Sequence, residues 1–120
     1  MTPHKARAMR SLKVSDAFKQ FVLDQLAELG DVTPRPMFGG VGLYHRGIFF
    51  GLLAHDAVFL KVGDANRADY ERAEMKAFKP YPKRAGSTKY FSVPLDVLEN
   101  APELALWARK SIAVARRQQV

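Results

Sequence analysis

The chain has 120 residues, 48% hydrophobic and 26% charged, which is the balance of one soluble globular domain. With no cysteine it excludes disulfide scaffolds, thiolate metal sites and cysteine nucleophiles, and no apolar run nears the roughly 20 residues of a membrane span. The N-terminus is basic but lacks the apolar stretch of a secretory signal, so the expected location is cytoplasmic.

The net charge of +7 is gathered in three blocks that contain no acid. These are Lys5, Arg7, Arg10 and Lys13; then Lys76, Lys79, Lys83, Arg84 and Lys89; and finally Arg109, Lys110, Arg116 and Arg117. Such blocks suit phosphates or an acidic partner, and equally a plain solvated surface.

In chain order, residues 1–14 read as a flexible basic arm, 15–117 as the folded domain and 118–120 as a tail. Ser15 can cap a helix whose apolar residues Phe18, Phe21, Val22, Leu26 and Leu29 recur at helical spacing. Gly30, Pro34 and Pro36 end it. Three strands follow, at about 37–44, 48–54 and 57–62, separated by turns at His45-Arg46-Gly47 and His55-Asp56. Gly63-Asp64 stops the sheet, and Asp64 is placed to cap a short helix near 65–74. A strand pair at about 78–82 and 88–93 comes next, its first member pushed to an edge by Pro80 and Pro82. A helical turn opens at Pro94. Asn100 and Glu103 have the spacing of a helix cap, and the last helix, 101–117, carries Leu104, Trp107, Ala108, Ile112 and Ala115 on one stripe. The order α-βββ-α-ββ-α predicts an α+β fold of two layers, a five-stranded, mainly antiparallel sheet packed with helices.

The run Arg35-Pro-Met-Phe-Gly-Gly-Val-Gly-Leu-Tyr44 is the most distinctive in the chain. With Phe50-Gly51-Leu52, Leu60-Lys61-Val62, Tyr81, Tyr90-Phe91-Ser92-Val93-Pro94 and Leu106-Trp107-Ala108-Arg109, it resembles the N-terminal domain of the TfoX/Sxy family, from about Phe18 to Ala115. The resemblance implies an α+β fold and a bacterial regulatory role. The family's named members raise expression of competence genes, acting beside the catabolite activator protein at certain promoters. Two departures stand out: Gly63 replaces the first Asp of the usual Leu-Lys-Val-Asp-Asp, and the second, helical domain of the two-domain regulators is not found before Val120.

Motifs for catalysis are absent. Gly39, Gly40 and Gly42 do not form a dinucleotide fingerprint, since position 45 is His and a strand follows; they read as glycines that let a strand bend. His45 and His55 fall in turns at opposite ends of a seven-residue strand, roughly 20 Å apart, too far to share a metal ion, and read as solvated. Gly86-Ser87 lacks the glycine that a nucleophile elbow needs two positions on. Asp69, Glu71 and Glu74 read as partners in surface ion pairs. Neither a cofactor nor a metal is expected.

The strand 48–54 is apolar on both faces, and helices can cover only one. The other is therefore expected to offer a partner interface around Phe38, Gly39, Gly40, Tyr44, Phe49 and Leu53. The leading expectation is a non-enzymatic regulatory protein-interaction domain, with a protein partner or a second copy of itself on that face. The alternative is a sequence-indifferent nucleic-acid-binding protein using Lys5, Arg7, Arg10, Lys83, Arg84, Lys89, Arg116 and Arg117; a small enzyme comes third.

Overall fold

The computed structural model describes residues 11–80, 86, 87 and 89–118. Helix α1 spans Asp16–Gln25, and Ser15 caps it by accepting from the Phe18 amide at 3.1 Å. A 3-10 turn, Ala27–Leu29, leads to Gly30, whose positive φ of 67° turns the chain into the sheet. Strands β1 (Val32–Met37), β2 (Gly40–His45), β3 (Ile48–Ala54) and β4 (Ala57–Lys61) follow. Short helix α2 (Arg67–Arg72), strand β5 (Tyr90–Ser92), helix α3 (Leu95–Leu98) and helix α4 (Ala101–Arg117) complete the chain.

The fold is α+β. Its five strands form one antiparallel sheet in the order β1-β2-β3-β4-β5, so every neighbour in the sheet is a neighbour in sequence. Three two-residue turns make this possible: Phe38-Gly39, Arg46-Gly47 and His55-Asp56, each with positive φ at both positions. That backbone matches the right-handed twist of the flanking strands. The third turn contains no glycine. Its Asp56 carboxylate accepts from the Ser15 amide at 2.8 Å and the Ser15 hydroxyl at 3.2 Å, which ties it to the start of α1.

Among the described residues four strands precede α2 and one follows it, where the sequence suggested three and two. Strand β1 includes Pro34 and Pro36, which alone read as helix breakers. An edge strand tolerates them, because alternate amides there point away from the sheet and lose no partner. The strand expected at 78–82 is reduced to a single bridge, Ala77 to Phe91, with the Phe78 amide donating to the Tyr90 carbonyl at 2.8 Å; its residues 81 and 82 lie outside those described. The cap of α2 also differs. Asn66, not Asp64, occupies that position, and its buried amide closes the loop between the Gly63 amide (2.8 Å) and the Lys61 carbonyl (3.0 Å).

One face of the sheet holds the core. Val41, Leu43, Phe50, Leu53, Val58 and Leu60 meet Val22 and Leu26 of α1, Val97 and Leu98 of α3, and Leu104, Ala108 and Ile112 of α4. Tyr70 of α2 packs edge-on to Trp107, with ring centroids 4.8 Å apart. The Ser111 hydroxyl donates to the Lys61 carbonyl at 2.8 Å and pins α4 to the end of β4. Among the described residues helices thus lie on one side of the sheet only, giving two layers.

Leu12, in the segment before α1, packs into the folded domain, while residues 1–10 of the expected arm lie outside the described residues. It is buried, its amide donates to the Phe38 carbonyl at 2.8 Å, and its carbonyl accepts from the His55 amide at 3.3 Å.

Candidate functional site

The opposite face of the sheet carries a smaller cluster. Leu12, Leu52 and Ala54 form its buried centre, with Met37, Phe49, Phe59, Phe78 and Tyr90 packed around them half-buried. None of these residues comes from a helix.

A bulge decides what faces this way. Leu43 pairs with Gly51 but Tyr44 pairs with Phe49, so Phe50 is an extra residue on β3. Beyond it the alternation is shifted by one. Phe49 and Leu52 face the open side, while Phe50 and Leu53 both face the helices. Leu53 was expected on the open face; it is instead fully buried in the main core, and Leu52 takes its place.

Of the other expected interface residues, Tyr44 and Phe49 lie on the open face with their ring centroids 5.2 Å apart. Phe38 does not join them; it sits in the β1–β2 turn with φ 51° and is 70% exposed. Gly39 and Gly40 do not floor an empty depression. A Cβ on Gly40 would meet Leu12 and the Leu53 carbonyl oxygen, so the absent side chain makes room for the N-terminal segment of this same chain. Gly42 serves the face differently: a Cβ there would lie 3.2 Å from the Phe49 ring and 3.3 Å from the Tyr44 ring, so glycine lets both rings lean across β2.

The result is a row of rings, Tyr44–Phe49–Tyr90, with centroid steps of 5.2 and 5.7 Å, and a second contact, Phe59–Phe78, at 5.1 Å. Cations close both ends of the row. The Arg35 guanidinium lies 5.2 Å from the Tyr44 ring centre and the Lys61 ammonium 4.9 Å from that of Tyr90. Burial pushes the Lys61 pKa down, and the like charge of Lys89 lowers it further. Burial raises that of the Tyr90 hydroxyl, with Tyr44 adding to the shift. Arg35, Lys61 and Phe59 were not singled out as site residues from the sequence. The period-two pattern of β1 and β4 places them here only once the pairing of those strands is known.

The basic residues expected to contact nucleic acid are described only in part. Lys5, Arg7, Arg10, Lys83 and Arg84 lie outside the described residues. Lys89 is exposed where β5 begins, near Lys61. Arg116 and Arg117, though adjacent in sequence, line two different hollows beside α4, one next to His45 and the other next to Gly63. His45 itself is only 9% exposed, which corrects its reading as a solvated turn histidine: it ends β2 as a paired strand residue, its side chain beside α4. Among the described residues no group of three or more metal-ligating side chains comes together. Asp69 pairs with Arg72 at 2.6 Å and Lys110 at 2.8 Å, as surface charges do.

Comparison with known families matches residues 24–115 to the TfoX N-terminal domain. A search of curated proteins returned no match.

Proposed function

This chain belongs to the TfoX N-terminal domain family, and on that premise we propose that it is a non-enzymatic regulatory domain that docks a partner protein on the open face of its sheet. The observation that carries this reading is the row Tyr44–Phe49–Tyr90, half-exposed and flanked by Arg35 and Lys61. Aromatic side chains and arginine dominate binding energy at protein interfaces, and an aromatic face that no helix among the described residues covers suits that use. Because both flanking charges are positive, the partner presents apolar side chains bordered by Asp or Glu. The family resemblance supports a regulatory role for that contact in the bacterial cytoplasm, competence regulation included. No helix among the described residues is long and apolar enough to cross a membrane.

One arrangement favours a second reading. Rings on a sheet face, accompanied by Arg and Lys, also make a stacking platform for single-stranded nucleic acid. A photo-crosslinking residue in place of Tyr44, in the full chain and the host extract, separates the two. Docking of a protein predicts one discrete protein adduct that Arg35→Glu and Lys61→Glu abolish. No adduct, or one indifferent to both reversals, sinks the proposal. Micromolar binding of a single-stranded oligonucleotide at about 0.15 M salt, lost in the same variants, replaces it with the second reading.

A further inference from the structure

Away from the open face, α4 and the β2–β3 turn border an open hollow of about 350 Å³. Its lining combines the apolar Leu29 and Ile112 with Arg46, Arg109, Arg116 and His45. Arg109 and Arg116 are seven residues apart on α4, two turns along the same helix face and about 10 Å apart along the axis. Arg46 reaches in from the tip of the hairpin.

These three cations are under-neutralised. The Arg46 Nε donates to Asp31 at 2.9 Å, which leaves its terminal nitrogens available. Arg109 meets Glu28 only at 3.5 Å, well outside the range of a tight charge-assisted bond, and both groups are about half exposed. Arg116 has no ion-pair partner among the described residues. His45 lines the same hollow but is nine-tenths buried, with its Nδ1 turned away from the accessible space, so the arginines supply the charge there.

We propose that this hollow binds the phosphoryl group of a small organic anion, with the ligand's apolar body against Leu29 and Ile112. Three planar guanidinium forks arriving from separate points fit a tetrahedral oxyanion, whereas a carboxylate has only two oxygens and is filled by one or two forks. The volume lies at the small end of ordinary ligand pockets, so the ligand is a metabolite-sized molecule and not a polymer. The site lies on the helix-bearing side and does not depend on partner docking at the open face.

Calorimetric titration of the full chain with phenyl phosphate tests it, with inorganic phosphate and benzoate as comparison probes. Phenyl phosphate is expected to bind saturably at about 1 mM or tighter, ahead of inorganic phosphate because of its ring, and ahead of benzoate because of its head group. Arg109→Ala and Arg116→Ala should each weaken it by about 10-fold, while Arg72→Ala, on α2, leaves it unchanged. Arg116 is exposed near the helix end, so its variant folds even if that of Arg109 does not. Absence of saturable binding, equal affinity in both arginine variants, or benzoate binding as tightly as phenyl phosphate overturns the assignment.

Discussion

Phe50 and Leu53 are three residues apart in one strand, yet both side chains point into the same core and both are fully buried. In a regular strand that spacing would put them on opposite faces; the extra residue opposite the Leu43–Tyr44 step reverses the alternation. Leu53→Ala should therefore cost about 2–5 kcal/mol of folding stability, the range for a core leucine. Phe38→Ser, at an exposed turn, should stay within about 0.5 kcal/mol of the parent. Urea denaturation of the two variants checks both values, and similar midpoints would contradict the assignment of faces.

The approach of Leu12 to Gly40 makes a second prediction. Gly40→Ala places a methyl group first against the Leu53 carbonyl oxygen and then against Leu12, so both the β2–β3 pairing and the N-terminal segment must give way. A loss of about 1–3 kcal/mol is expected. Hydrogen exchange should accelerate at the Leu12 and His55 amides, whose bonds hold that segment down. If those amides keep the protection they have in the parent, the segment is not what yields.

Lys61 should titrate below the ordinary lysine value of 10.5, because burial and the neighbouring Lys89 both disfavour its charge. The folded chain then releases this proton before the unfolded chain does. Between the two pKa values the unfolded state binds more protons, so this group makes stability rise with pH there and exerts its full penalty below that window. Lys89→Gln removes the like charge and should move the Lys61 pKa back up. The ¹³Cε shift of Lys61 across a pH series measures it; a midpoint unmoved by Lys89→Gln would remove Lys89 as a cause.

Tyr70 brings the opposite sign. Burial pushes its hydroxyl pKa far up, with Asp69 adding and Ser111 opposing, so the folded state keeps this proton longer than the unfolded one. Stability is therefore lost as pH climbs beyond the ordinary tyrosine value of 10.0. Ser111 directs its own proton to the Lys61 carbonyl, and the Tyr70 Oη meets no partner at hydrogen-bonding geometry. Tyr70→Phe should thus leave neutral-pH stability unchanged or raise it by up to about 1 kcal/mol, and should soften the alkaline decline. Thermal melts at neutral and alkaline pH test both, and a loss above about 1 kcal/mol would reveal a partner for the hydroxyl.

Much of the architecture is local, and local features are legible in one sequence. Ser15 and Asn100 were readable as caps because the groups they satisfy lie three residues on, at Phe18 and Glu103. The stripe of α4 was readable because its partners all lie on one side. The turns at Arg46-Gly47 and His55-Asp56 announced themselves as polar breaks between apolar runs. Tertiary structure decided which side chains form the open face. Strand period is two, so the one-residue bulge at Phe50 exchanged Leu53 for Leu52, and nothing in the run Ile48–Ala54 marks where that residue falls. Pro34 and Pro36 could become strand residues only at a sheet edge, a position defined by what is not beside them. Leu12 is part of the fold through bonds to Phe38 and His55, and His45 lines one hollow with residues of α4; these relationships close loops of dozens of residues, which composition and short-range spacing do not encode.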